Sequence, residues 1–594
     1  MYILGLSCFY HDSAAALIQD GTVIAAAQEE RFTRIKHDQS FPINAINFCL
    51  KKSKITVNEL EYVVFYEKPF MKFERILLSI LSTFPKSMKL FRDSMMVWLG
   101  EKLWIKNIIK EKLGIPDKKI LFVEHHLSHA ASTFFCSPYK EAAILSIDGV
   151  GEWSTVALGS GTADWDGNGQ NEIRFFDEMR FPHSLGLLYS AFTAFLGFEV
   201  NEGEYKVMGM APYGKAQYVD NIRKVVDVKG DGSFRLDMSY FGYHYHSENT
   251  INSKFLDLFG QSRDPKSRFV TEKTSTYDDP NPPTKNEILS NQYYADVAAS
   301  LQNVTEDILI KIARYLYSKT EIKKLCIAGG VGLNSVANYK ILKETPFDEI
   351  YIQPASGDAG GALGAALYVY HVILNKPRQF IMEHALWGEE YDMNDITSFL
   401  KNKNIKHEFI EGDSLLNRIV ENLMKGKVIG WYQGRFEWGP RALGNRSILA
   451  DPTNPKMKDI VNIKIKFREP FRPFAPSVLE DKVEDFFDIH EAARHYPARF
   501  MLYVTKVKND RIPAITHVDG SGRLQTVKEA HNPRYYRLIE LFGQATGVPI
   551  VLNTSFNLKG EPIVTTPQDA FNTFMKSGMD ILVLENCLVD KERL

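Results

Sequence analysis

Apolar positions near the start of the chain fall in short, nearly unbroken runs. Residues 2–7, 14–19 and 22–28 read as strands, with Asp20-Gly21 a hairpin dipeptide between the last two. A β-hairpin opening an α/β domain is therefore expected. An apolar strand over 120–123 leads into His125-His126-Leu127-Ser128-His129, and another over 142–147 leads into Asp148-Gly149-Val150-Gly151-Glu152, with 154–159 returning from it. Helical periodicity over 295–318 precedes a strand at 324–327, which runs into Ala328-Gly329-Gly330-Val331-Gly332-Leu333-Asn334 and a further helix. The pattern puts these motifs at the C-terminal ends of strands, where open α/β sheets bind ligands. Residues 68–112 have helical rhythm and read as an inserted amphipathic hairpin rather than a membrane-docking element, because Glu74, Asp93 and Glu101 interrupt the basic face. The polar stretch 260–290, with Asp279-Pro280-Asn281-Pro282-Pro283, reads as a long loop, either an inert insertion or part of a lid. The pattern changes between 375 and 390, which sets expected domains of 1–380 and 381–594.

Composition narrows the class. At 594 residues the chain is too long for a single core. A net charge of −2 and a pI near 6.8 argue against a chain built to coat nucleic acid or an anionic membrane. Cys8, Cys49, Cys136, Cys326 and Cys587 form no CxxC pair, so neither a disulfide framework nor a thiolate zinc site is expected, and a cytoplasmic setting fits. Met1 to Leu6 reads as a strand rather than a signal peptide, and no apolar run is long enough for a membrane span.

The candidate chemistry begins with His125 and His129, four apart and so on one face of a helix, whereas His126 points elsewhere. Asp148 and Asp358, each in a glycine-rich loop, complete a metal-ligand set suited to divalent iron, zinc or manganese. Asp148 could instead be an outer-shell phosphate contact. Glycines let backbone amides approach phosphate oxygens, which makes Gly149, Gly329, Gly330, Gly332, Gly357 and Gly360, with Asn334, candidate nucleotide-binding positions. In Glu202 to Gly214, Glu204 and Lys206 are either substrate or nucleotide contacts or part of a solvated turn. His11 and Asp12, after the first strand, could supply an acceptor-side base or a phosphate contact.

The second half carries a local basic excess, nine Lys or Arg against four acids over 430–475. If Lys464 to Arg468 is extended, Lys464, Lys466 and Arg468 share one side. Arg441, Arg446, Arg472 and Arg523 offer forks for phosphate or carboxylate, and Asn553 and Ser555 add polar groups that could fix an acyl phosphate. A solvated basic face or an RNA-binding patch is the competing reading.

Taken in order, these segments resemble the nodulation- and antibiotic-type O-carbamoyltransferases. The resemblance rests on Gly5-Leu6-Ser7 with Tyr10-His11-Asp12-Ser13, Glu29 to Asp38 (which holds Lys36), the HHLSH segment, Glu202 to Gly214, Gly439 to Ala450, Arg468 to Pro476 and Leu552 to Asn557. Trp438 stands where phenylalanine is expected, a packing change. The resemblance implies an α/β protein with an actin-like ATPase-fold, Kae1-like N-terminal domain followed by a YrdC-like α/β C-terminal domain. It implies that the C-terminal half makes carbamoyl adenylate from carbamoyl phosphate and ATP with Mg, using Lys464, Arg468, Arg472, Arg523 and Ser555. Lys36, Glu204, Lys206, Arg441, Arg446 and Asn553 are then expected to bind substrate. The carbamoyl group would pass in the Kae1-like half to a hydroxyl of a small acceptor, an antibiotic, glycoside or alkaloid toxin of secondary metabolism. There Fe(II) is the expected metal, held by His125, His129, Asp148 and Asp358, with His11 or Asp12 taking the proton. No nucleic acid or membrane partner is expected, and a homodimer is open. The alternatives are an actin-like-fold kinase or ATPase and a tRNA-modification module.

Overall fold

The computed structural model describes residues 1–594 apart from 247, 275–280 and 470 and the side chain of Lys464. Asp279-Pro280 of the expected loop and lid thus lies outside the described residues, as does the side chain of Lys464. The chain divides into two compact units. One comprises Met1–Ile24, Gln39–Thr271 and Pro283–Ile381; the other comprises Ala25–Asp38, Glu272–Pro282 and Met382–Leu594.

The first unit is α/β and is built on two five-stranded sheets with the same plan. In the first sheet Tyr2–Ser7 runs antiparallel to Ala14–Gln19 and parallel to Leu60–Phe65, which is parallel to Ile120–Phe122, and Thr22–Gln28 lies at the edge. In the second, Glu141–Ile147 runs antiparallel to Ser154–Thr162 and parallel to Lys324–Ala328, with Glu349–Tyr351 and Glu172–Arg180 at the two edges. Each sheet has the order third, second, first, fourth, fifth in chain sense, so one plan is repeated within the unit. Tyr2–Ser7 is buried from Ile3 onward on both faces, which is why it reads as a continuous apolar run rather than an alternating one.

The helix Asp358–Tyr368 (DAGGALGAALY) packs between the first sheet and the helix His125–Phe134. Its small residues let backbones touch. A Cβ on Gly364 would lie 1.7 Å from the Ser128 carbonyl oxygen, a separation no side chain can occupy. Residues 69–113 form the expected helices, Pro69–Ser82, Met88–Gly100 and Ile105–Leu113. The long helix starts ten residues earlier than its periodicity suggests, at Lys285, and runs to Thr320. The reason is a capping box in which Thr284 and Glu287 satisfy each other's backbone amides.

The second unit holds a nine-stranded mixed sheet with Ile429–Tyr432, Arg446–Ala450, Ile550–Ser555, Ala475–Leu479 and Ser521–Val527 consecutive in its middle. Helices Gly412–Met424 and Pro533–Thr546 cover it, burying Leu415, Ile419, Leu538 and Phe542 with Trp431. The segment holding Lys464 and Lys466 is not extended. Ile460–Ile465 is a π-helical turn and Phe467 takes a positive φ of 49°, so the alternation does not set which side each cation takes. Among the described residues no helix is long and apolar enough to cross a membrane.

Gly364→Val should destabilise the first unit by about 3 kcal/mol or more, because backbone rather than a flexible side chain blocks the new atoms. Thermal denaturation followed with a probe in that unit checks this, and a wild-type melting temperature would contradict the packing described.

Candidate functional site

The two histidines, Asp148 and Asp358 converge in the first unit. One ligand atom from each lies within 4.8 Å of all the others, and all four residues are buried. His125 opens its helix and His129 follows one turn on. Their Nε2 atoms face each other at 3.0 Å, while each Nδ1 is buried without a hydrogen-bond partner. Asp148 reaches His125 Nε2 at 3.2 Å, and Asp358 Oδ1, itself without a hydrogen-bond partner, stands 3.7 Å from His125 Nε2 and 3.5 Å from His129 Nε2. Metal bonds of about 2.0–2.2 Å place neighbouring ligand atoms about 3 Å apart, so two nitrogens and two carboxylates at these spacings fit a divalent cation.

Electrostatics agree with that fit. Burial would push Asp148 up, but the bond to His125, both imidazoles and the Gly330 amide, which donates to Oδ1 at 2.7 Å, hold it well below the usual carboxylate range. His125 is lifted to about 9, since Asp358 and Asp148 outweigh the desolvation that opposes its charge. The cluster therefore demands positive charge. His126 behaves differently. Burial and the neighbouring imidazoles lower it to about 3, so its ring is neutral. It donates from Nε2 to the Ser154 carbonyl at 2.8 Å and accepts at Nδ1 from Ser146 Oγ at 2.8 Å, a brace between helix and sheet.

His11 lies beside the cluster, with Nε2 3.8 Å from Asp358 Oδ2 and Nδ1 3.0 Å from Asp12 Oδ2. Desolvation would depress His11, but Asp358 and Asp12 raise it to about 9. Whatever neutralises Asp358 brings the ring back toward a proton acceptor. The remaining glycine-loop residues frame the same region. Ser184 donates to the Gly149 carbonyl at 2.6 Å, the Gly329 amide donates to Ser356, and Gly357 precedes the helix that Asp358 begins. Gly332 lies in the short helix Gly330–Leu333, and Asn334 caps Ser335–Glu344 through its side chain. Gly360 is buried inside the Asp358 helix against the Ala355 carbonyl. Glu204 accepts from Ser190 Oγ at 2.7 Å, and Lys206 Nζ sits 5.7 Å from the Phe198 ring centroid.

In the second unit one buried cation was passed over as a site residue by the sequence reading, Lys466. Its ammonium donates to the carbonyls of Ser555 and Asn557 and to Asn557 Oδ1, each at 2.7 Å. Burial first, then Arg468, Arg472 and Lys36, pull it well below its ordinary value. Those four cations share one field, which Glu561 partly offsets. Ser555 Oγ donates to Asn557 Oδ1, Arg468 Nε donates to Asn462 Oδ1, and Arg472 pairs with Glu469 at 3.5 Å. Arg446 and Asn553 each contact neighbouring protein groups. Arg446 is fully buried over the Tyr432 ring and donates to the Gln433 carbonyl, and Asn553 Nδ2 donates to Gln525 and Ser477. Arg523 lies on the strand Ser521–Val527, opposite Val504, and Arg441 is half-buried in the segment between the strands Ile429–Tyr432 and Arg446–Ala450. In the first unit, Glu67 and Glu152 behind the metal-ligand cluster were also missed. Only the loop Asp148 to Glu152 carried a sequence signal for either.

A family profile for the carbamoyltransferase N-terminus matches residues 2–367, and one for the carbamoyltransferase C-terminus matches residues 420–591. The chain is 45% identical to an uncharacterized Synechocystis protein over 99% of this chain and 97% of that one. It is 36% identical to nodulation protein NolNO of Sinorhizobium fredii, over 98% of this chain and 79% of that one. It is 33% identical to 3'-hydroxymethylcephem-O-carbamoyltransferase of Streptomyces clavuligerus, over 53% of this chain and 59% of that one.

His129→Ala and Asp358→Asn should each weaken binding of a divalent probe such as Mn(II) by more than about 100-fold, since even outer-shell changes cost 10–100-fold. Equilibrium dialysis of the full chain measures this, and unchanged binding in both variants would remove the cluster as a metal site.

Proposed function

The chain belongs to the carbamoyltransferase family, and from that membership we propose that it is an ATP-dependent O-carbamoyltransferase with one partial reaction in each unit. In the second unit, carbamoyl phosphate is hydrolysed to carbamate and phosphate. The carbamate oxygen then attacks the α-phosphorus of ATP, giving carbamoyl adenylate and pyrophosphate. Carbamoyl phosphate, the carbamate it yields and ATP are all anions, and their mutual repulsion is the obstacle. Lys36, Lys466, Arg468 and Arg472 offset it, with Arg523, Ser555 and the Lys464 segment as further contacts. Lys466 begins with its charge destabilised by burial and by its cationic neighbours, so an arriving phosphate restores it.

In the first unit, the carbamoyl carbon of the adenylate is attacked by a hydroxyl of a small acceptor, an antibiotic, glycoside or alkaloid, and AMP leaves. A divalent metal, Fe(II) by family analogy, supplies charge stabilisation at the carbonyl and phosphate oxygens when bound to His125, His129, Asp148 and Asp358. The Gly329 to Asn334 turn and Gly357 offer backbone beside the cluster for the nucleotide. The His11 and Asp12 pair takes the hydroxyl proton, Asp12 fixing the imidazole through Nδ1 so that Nε2 faces the cluster. The observation that carries the reading is the convergence of His125, His129, Asp148 and Asp358 with His11 alongside.

Incubation of the protein with carbamoyl phosphate, ATP, Mg and Fe(II) but no acceptor should yield carbamoyl adenylate and pyrophosphate by mass spectrometry. Arg472→Ala should lower that yield at least about 100-fold, whereas His129→Ala should leave it intact and abolish transfer to acceptor. Formation of ADP and phosphate alone would replace this reading with a kinase or ATPase. Equal loss of both partial reactions in each variant would overturn the division between units.

A second test follows from Lys466. Burial and its cationic neighbours lower Lys466, and an anion beside it raises that value again, so at a pH between the two values binding takes up a proton. Calorimetric titration with carbamoyl phosphate in buffers of differing ionisation enthalpy should report net proton uptake, and Lys466→Met should abolish it. A heat independent of buffer at every pH from about 6 to 10 in the wild type would place the anion elsewhere.

A further inference from the structure

The helix that presents both histidines begins at a ligand, and its first amide needs an acceptor. The preceding residue, Glu124, does not cap it through its side chain and instead pairs with Lys68 at 2.7 Å. The acceptor is Glu152. Its Oε1 and Oε2 take the His125 amide at 3.0 and 3.1 Å, and Oε1 also takes the Lys68 amide at 2.8 Å. Glu152 is 5% exposed, so these two amides compensate a carboxylate otherwise costly to bury. A carboxylate at a helix N-terminus is also favoured by the helix dipole.

Position along the chain gives this contact its significance. Glu152 lies four residues after Asp148, in the same loop, so one short segment supplies a ligand and grips the backbone of another ligand. The loop lies flat against the helix. A Cβ on Gly151 would come within 3.0 Å of the Cδ2 atoms of both His125 and His126. Behind the imidazole, Glu67 Oε2 stands 3.9 Å from His125 Nδ1 and is paired with Lys72 at 2.5 Å, too far to fix the ring alone.

We propose that Glu152 is a positioning residue for the metal cluster, setting the distance between His125 and Asp148 through the first amide of the histidine helix. It touches no ligand atom. The inference rests on the metal reading of the cluster. Its effect is on affinity and on the shape of the coordination sphere rather than on the chemistry itself.

Co(II) is the probe, because its visible absorption reports ligand geometry independently of turnover. Glu152→Ala in the full chain should weaken Co(II) binding by about 10–100-fold and change the visible band. Glu152→Gln, which keeps an oxygen for the His125 amide, should recover most of the affinity. Circular dichroism and metal-free melting separate these outcomes from misfolding, and Glu152→Gln carries the test if Glu152→Ala does not fold. Wild-type affinity and an unchanged spectrum in Glu152→Ala would overturn the positioning role while leaving the metal site standing. So would a Glu152→Gln variant as weak as Asp358→Asn. Failure of the wild-type protein to bind Co(II) would instead remove the metal reading, and this inference with it.

Discussion

The first unit is organised by one close backbone contact, that of the helix Asp358–Tyr368 against the helix His125–Phe134 at Gly364 and Ser128. Two helices carrying large residues would stand about 8–10 Å apart, and the carboxylate of Asp358 could not then meet the two imidazoles. The cost falls on local stability, since glycines weaken a helix that only tertiary burial can restore. The same helix lies against the first sheet, where Gly5 makes an equally close approach to Ala362. The spacing within the cluster is thus set by packing between elements far apart in sequence.

Much of this was legible beforehand, and for specific reasons. Strands buried on both faces announce themselves as apolar runs, so Tyr2–Ser7 and Glu141–Ile147 could be placed by eye. The i, i+4 spacing of His125 and His129 implied a shared face, and the Gly-flanked aspartates implied strand ends. What could not be read was anything that depends on a partner. Nothing in a line of text marks out Lys466, which donates to Ser555 and Asn557. The π-helical turn over Ile460–Ile465 defeats the two-residue alternation because its hydrogen bonding follows another period. The start of the helix at Lys285 was hidden by a proline-rich flank, although Thr284 and Glu287 spelled its cap.

The two units solve opposite electrostatic problems. One gathers carboxylates and imidazoles in a single buried cluster; the other gathers lysines and arginines around Lys466, with Glu561 partly offsetting them. Near-neutral composition conceals both, since the excesses are local and of opposite sign. Burial magnifies each by removing the water that would screen it.

The second unit also takes in Ala25–Asp38, hundreds of residues before the rest of it. Arg31 from that segment is buried and donates to the Gly439 carbonyl at 2.7 Å, Arg34 donates to the Ile563 carbonyl, and Lys36 adds to the field on Lys466. Recombination at a single join after residue 381 would therefore transplant an unfinished domain. Shuffling of such chains in nature or in the laboratory has to carry both ends together, which makes this enzyme one hereditary unit despite its two cores.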